Sequence, residues 1–175
     1  MKKKQIRLLL VPAIILLFWL YVREFHVFDN TIGIKQLALS SIAVALVGSA
    51  VFLFFWRKKI AVLEDKLPII FAALIFPALF APLFGSLINR LGASEPSERS
   101  FIFQKETPFR MSRFGFLAML QQESPSGYHL FVEENGKNYR FTYQKQAYFP
   151  LTKPGEIVLL PVETGLLGFP IVSLK

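Results

Sequence analysis

The sequence predicts a fold of two parts: a membrane α-helical region with three transmembrane helices, then an all-β small barrel of SH3 or OB size. Long uncharged apolar runs fill the chain before about residue 92, and 53% of all residues are hydrophobic, against about 45–50% in soluble domains. Beyond a polar linker at 92–99, short alternating segments and turn residues replace these runs, as in β-strands. We therefore expect a transmembrane domain at 1–91 and a soluble β-rich domain at 100–175.

The first apolar run, at 8–22, predicts a helix at about 7–23. It is shorter than the about 20 residues that a membrane span needs, but Arg7 and Arg23 beside it can extend their charged groups to the membrane surface. A cleaved signal peptide has a similar form. Residues 23–32 contain no Ala, Gly or Ser for a cleavage site, so we favour an uncleaved anchor.

Two further apolar runs predict full membrane spans at 37–56 and 67–89. Neither contains a charged residue, and each is long enough to cross the hydrocarbon core of a bilayer. Pro77 and Pro82 lie inside the later run and predict a kink there, because proline removes a backbone hydrogen bond from the helix.

The Lys and Arg residues beside the apolar runs predict the direction of the helices. Four precede the first run, two lie in the loop 23–36 and four in the loop 57–66. Because cytoplasmic loops carry the excess of Lys and Arg, we expect a multi-pass plasma (inner) membrane protein. Its N-terminus and second loop would be cytoplasmic, and its β-domain periplasmic or extracellular. Membrane orientation thereby accounts for the net charge of +8, and we expect no nucleic-acid partner.

Small side chains recur at every fourth position on the second and third predicted helices. These two stripes contain Ser41, Ala45 and Ser49 on one helix and Ala73, Pro77, Ala81 and Gly85 on the other. Small residues allow close packing of helices in lipid. Two interpretations stay open: packing of these two helices against each other, or contact with another membrane subunit or a second copy of the chain.

The sequence contains no motif for catalysis or for metal binding. Cysteine is absent, which excludes disulfides and Cys-ligated zinc. The two histidines, His26 and His129, lie in separate predicted elements, and no hydrolase, zinc-protease, phosphate-binding or dinucleotide-binding fingerprint occurs. We therefore predict no catalytic residue, no metal and no cofactor. We interpret Glu24, His26 and Asp29 as solvated groups of the loop 23–36.

The pair Asn135-Gly136 predicts a β-hairpin with a type I′ turn, because both residues tolerate positive φ. In the resulting register, Glu134 faces Lys137 and Phe131 faces Arg140, and one side of the hairpin is wholly apolar or aromatic. The predicted strands of the β-domain are 100–105, 113–121, 128–134, 137–144, 155–162 and 169–174. Apolar residues on both faces of 113–121 and 157–160 predict central strands that are covered on two sides.

Two places in the β-domain are candidates for contact with a partner. A large aromatic at Phe131 on the polar side of the hairpin is either covered by another part of the domain or exposed, with Arg140 stacked on its ring. The stretch 164–170 is either an ordinary turn between the last two strands or an apolar tip. In the second case Leu166, Leu167 and Phe169 would contact the membrane or a partner.

Three hypotheses about function follow from this organisation. The first is a non-enzymatic envelope protein, an accessory subunit of a membrane complex, that presents its β-domain to a protein partner or a second copy. The second is a ligand-sensing or cell-wall-sensing module that uses the aromatic residues Phe109, Phe114, Tyr128, Phe131, Tyr148 and Phe149. The third is an oligomeric intramembrane transport component.

Overall fold

The computed structural model describes residues 3–61, 66–110, 125–144 and 146–174. Its three helices are α1 (Lys3–Asp29), α2 (Ile34–Ala61) and α3 (Lys66–Leu91). Five strands follow: β1 (Ser97–Phe109), β2 (Gly127–Glu134), β3 (Lys137–Tyr143), β4 (Ile157–Thr164) and β5 (Pro170–Val172). The chain forms two compact units. The helical unit contains Met1–Phe25 and Gly33–Gly92, and the barrel unit contains His26–Ile32 and Ala93–Lys175.

Two of the helices in the described part of the chain, α2 and α3, are long and apolar enough to cross a membrane. The prediction of three such spans is supported in part: within the described residues, α2 and α3 are the helices of this length and hydropathy, and α1 is not among them. The helix itself continues to Asp29, since no Gly or Pro interrupts residues 23–29.

The helical unit is held together by aromatic packing and by one buried carboxylate. The rings of Phe18 and Tyr21 on α1 pack edge-on against Phe80 on α3, with centroids 5.5 and 6.2 Å apart. Glu24, predicted as a solvated loop residue, is instead buried in α1. Its Oε1 accepts a hydrogen bond of 2.8 Å from the Ser86 hydroxyl, and its Oε2 lies 3.5 Å from the Arg90 guanidinium.

The five strands form one antiparallel sheet in the order β3-β2-β1-β4-β5, which curls into a nearly closed barrel. β1 pairs with β2 on one side and with β4 on the other. It begins at Ser97, inside the predicted linker, because Ser97 already pairs with Val162 of β4. A register shift between Phe103 and Lys105 marks a β-bulge that re-aims the side chains after it.

The hairpin predicted at Asn135-Gly136 is confirmed. Both residues have positive φ, 52° and 74°, as a type I′ turn requires. Glu134 pairs with Lys137, and the register continues unbroken to the pair Tyr128 and Tyr143. The side of the hairpin that was expected to be apolar provides four buried core residues: Leu130, Val132, Phe141 and Tyr143.

β4 has one buried face and one exposed face, so the prediction that it is covered on two sides is wrong. Val158, Leu160 and Val162 point into the core, whereas Ile157 and Leu159 are 72% and 55% exposed. Alternation decides this arrangement: neighbouring residues of a strand point to opposite faces, and only one face of a barrel strand meets its interior. The other strand predicted as doubly covered, 113–121, lies outside the described residues.

The gap between β3 and β5, the two outer strands of the sheet, is bridged by the connection between α1 and α2. On the β3 side, the amide side chain of Asn30 forms two hydrogen bonds with the backbone of Thr142. Its Nδ2 donates to the carbonyl oxygen at 2.8 Å, and its Oδ1 accepts from the N–H at 2.7 Å. Asn30 is buried, so these bonds satisfy backbone groups that water does not reach.

The same connection pairs with β5 through its backbone. The N–H of Val172 donates to the carbonyl oxygen of Asn30, and the N–H of Ile32 donates to that of Pro170, both at 2.8 Å. Residues 30–32 therefore act as a short additional strand that belongs to the barrel unit, although they precede it by more than sixty residues of helix and linker.

Candidate functional site

The side of β1–β4 that points away from the core carries a connected set of aromatic, charged and apolar side chains. We call this side the outer face. The strand registers order it in rows. Lys105, Phe131 and Arg140 form one row across β1, β2 and β3, and the next row is Thr107, His129 and Thr142.

Phe131 is half-buried and is covered by a lysine rather than by an arginine. The Nζ of Lys105 lies 4.9 Å from the centre of the Phe131 ring, a cation–π geometry. Arg140, which one of the two interpretations placed over this ring, is the cross-strand neighbour as predicted. Its guanidinium, however, lies 3.7 Å from the Asp29 carboxylate. Asp29 is the last residue of α1 and directly precedes Asn30. The connection between α1 and α2 therefore also places the negative charge of Asp29 at the outer face.

A chain of hydrogen bonds links His129 to Asp29 through Thr142. His129 Nδ1 is 3.1 Å from the Thr142 hydroxyl, which donates to Asp29 Oδ2 at 3.3 Å. The hydroxyl has one proton, so when it donates to Asp29, His129 Nδ1 is the donor of the other hydrogen bond. The ring of Phe109 stacks on the imidazole with centroids 4.5 Å apart and an interplanar angle of 20°.

These hydrogen bonds fix the side chains of His129, Thr142 and Asp29 relative to one another. The pKa of His129 is lowered from its ordinary value mainly by partial burial and then by the nearby Arg140, while Asp29 opposes the change. The imidazole is therefore neutral at pH 7. Among the described residues, no three His, Asp or Glu side chains cluster as metal ligands would.

The outer face continues onto β4 as an exposed apolar patch. Ile102 of β1 pairs directly with Ile157 of β4, and both are exposed, as is Leu159 two residues along β4. Ile102 also pairs with Glu133 of β2, so the patch adjoins the charged rows. Exposed apolar residues are ordinary when they are scattered, but a contiguous group with a polar rim is typical of an interaction surface.

The stretch 164–170 forms the turn between β4 and β5. Gly165 and Gly168 close it through a hydrogen bond of 2.8 Å from the N–H of Gly168 to the carbonyl oxygen of Gly165. Leu166 and Leu167 at its tip are 62% and 45% exposed, and Phe169 beside them is half-buried.

The small-residue stripes of α2 and α3 lie in the helical unit and face each other. A Cβ added at Gly85 would overlap the Ser41 hydroxyl, so these backbones approach closely. Farther along, the stripes line an open apolar groove between the two helices, formed by Ala45, Gly48, Ser49, Phe52, Ala73 and Pro77. Ala81 is buried.

Three contributors to the outer face were not identified from the sequence. Asp29 was interpreted as a solvated loop group and Asn30 was not singled out, because no local pattern links them to strands more than a hundred residues later. Lys105 was not paired with Phe131, because the β-bulge that sets their register has no signature in the sequence.

No protein-family model, no curated protein and no solved structure matches the chain.

Proposed function

We propose that this chain is a non-enzymatic membrane protein that presents its barrel to a protein partner outside the cytoplasm, as a subunit of a membrane complex. The observation that carries the proposal is the outer face. It combines an apolar patch at Ile102, Ile157 and Leu159 with a neighbouring aromatic–cation pair. Such a combination of apolar centre and charged rim is typical of protein interfaces.

The sensing hypothesis has less support, because Tyr128 and Phe149, two of the aromatic residues that it would use, pack against the core.

The bridging connection supports a membrane topology in which α2 and α3 both cross. Residues 30–32 are paired with β5, so the connection and the barrel share one side of the membrane. The chain between them must therefore cross an even number of times, and α2 and α3 are the two helices in that interval that are apolar enough to do so. The Lys and Arg of residues 57–66 favour a cytoplasmic position for the opposite end.

We expect an alkaline phosphatase reporter fused after Lys175 to be active, because this enzyme requires export, and a cytoplasm-dependent reporter at the same position to be inactive. Both fusions after Ala61, where α2 ends, should give the opposite results. Cytoplasmic reporter activity at Lys175 would overturn the proposed sidedness. Equal reporter behaviour at the two positions would overturn the crossing of α3.

We expect a photo-crosslinking residue in place of Leu159 to form one discrete protein adduct in cells, because Leu159 lies in the exposed patch. The change Ile157→Ser in the same chain should reduce that adduct several-fold, since it removes the neighbouring apolar contact. The control is the same residue in place of Leu151, which is exposed in the segment before β4 and should give no discrete adduct. Equal adducts at 151 and 159 would contradict a partner-specific face.

A further inference from the structure

The turn between β4 and β5 has its two flanks tied to the segments that lead into the helices. On one flank, the N–H of Ile32 donates to the carbonyl oxygen of Pro170 at 2.8 Å, two residues before α2 begins. On the other, the N–H of Ser94 donates to the carbonyl oxygen of Thr164 at 2.9 Å, and the Thr164 N–H donates to the Ser94 hydroxyl at 3.0 Å. Ser94 lies three residues after α3 ends.

The pairing also defines the direction in which the turn points. Asn30 pairs with Val172 and Ile32 with Pro170, so the chain that approaches α2 runs beside β5 towards the turn. On the other flank, Ser97 pairs with Val162 and Ser94 is hydrogen-bonded to Thr164. The chain that leaves α3 therefore also lies beside the turn. A residue spans at most about 3.6 Å. Ile32 and Ser94, which flank the turn, are two residues before α2 and three residues after α3 in the chain.

We propose that Leu166 and Leu167 insert into the interface of the bilayer that α2 and α3 cross; this inference rests on the proposed membrane anchoring. Leu166 and Leu167 are exposed apolar side chains at a tight turn, and burial in lipid removes their surface from water. In this proposal, the partner of Leu166 and Leu167 is lipid and not a protein. The outer face, whose apolar patch lies on the strands, stays available to a protein.

The absence of cysteine permits a direct test with single labelled sites in the full chain. Leu166→Cys, Leu151→Cys and Val44→Cys are each labelled with an environment-sensitive fluorophore and reconstituted into phosphatidylcholine–phosphatidylglycerol vesicles. Quenching is measured with doxyl groups attached to the lipid and with iodide in the water. Leu151 precedes β4 and the tip follows it, so about 25 Å of strand separates the control from the tip. Val44 is an exposed residue in the middle of α2.

We expect the label at 166 to lose fluorescence with shallow doxyl lipid and to be several-fold less sensitive to iodide than the label at 151. The label at 44 should be quenched by deep doxyl lipid and not by iodide. If the label at 44 behaves in this way but the label at 166 responds to iodide like that at 151, the tip proposal fails and the anchoring stands. If doxyl lipid quenches none of the three labels, the anchoring fails, and the tip proposal fails with it.

Discussion

Replacing Asn30 with alanine is expected to lower the free energy of unfolding of the barrel unit by about 2–6 kcal/mol. The change removes the amide that satisfies both backbone groups of Thr142, and a buried unpaired donor or acceptor costs about 1–3 kcal/mol each. It also opens the edge of β3, which the rest of the sheet leaves without a neighbour.

Hydrogen exchange of the full chain in detergent measures this effect. Amides of β3 and β5 should exchange more than about tenfold faster in Asn30→Ala, since each 1.4 kcal/mol corresponds to a factor of ten. The matched control is Asn138→Ala, at an exposed asparagine of β3, which should leave the exchange rates nearly unchanged. Equal protection in the two variants would mean that the bridge does not stabilise the barrel.

Phe141→Ala should destabilise the barrel by about 3–5 kcal/mol, because it removes a large ring from a closely packed core. Phe141 is 1% exposed and packs edge-on against Phe101, with centroids 5.9 Å apart. Exchange across β1–β4 in the full chain should accelerate accordingly.

Phe131→Ala provides the matched control, because the same ring is removed from the neighbouring strand on the outer face. Phe131 is half-buried, and its ring faces the ammonium group of Lys105, so its loss should cost clearly less than the loss of Phe141. A larger effect at Phe131 than at Phe141 would contradict the assignment of inner and outer faces.

The features that local sequence determines were predicted well. The hairpin register follows from the turn preference of Asn135-Gly136 and from alternation in the strands beside it, and these two signals agree. The helices α2 and α3 follow from uncharged runs of sufficient length. Each of these inferences needs only residues that are close together in the chain.

The remaining features depend on contacts between distant residues or on which surface is covered. Asn30 meets Thr142 across 112 positions, and nothing beside Asn30 distinguishes it from a solvated loop residue. The apolar residues of β4 suggested burial on both faces, since hydrophobicity alone does not tell a core residue from an exposed patch. α1 was expected to end near residue 23, but the absence of a helix-breaking residue carries it to Asp29.

The bridge by residues 30–32 has a consequence for the order of assembly. Synthesis proceeds from the N-terminus, so these residues are made long before β5, and the barrel stays open at this gap until its final strand arrives. Pairing of α2 with α3 brings residues 33 and 92 together beforehand and shortens the loop that remains to be closed by roughly half, which saves only about 0.6 kcal/mol of chain entropy. The greater effect is on timing: until β5 pairs, a nascent chain exposes two unpaired sheet edges, the form most prone to association with other chains.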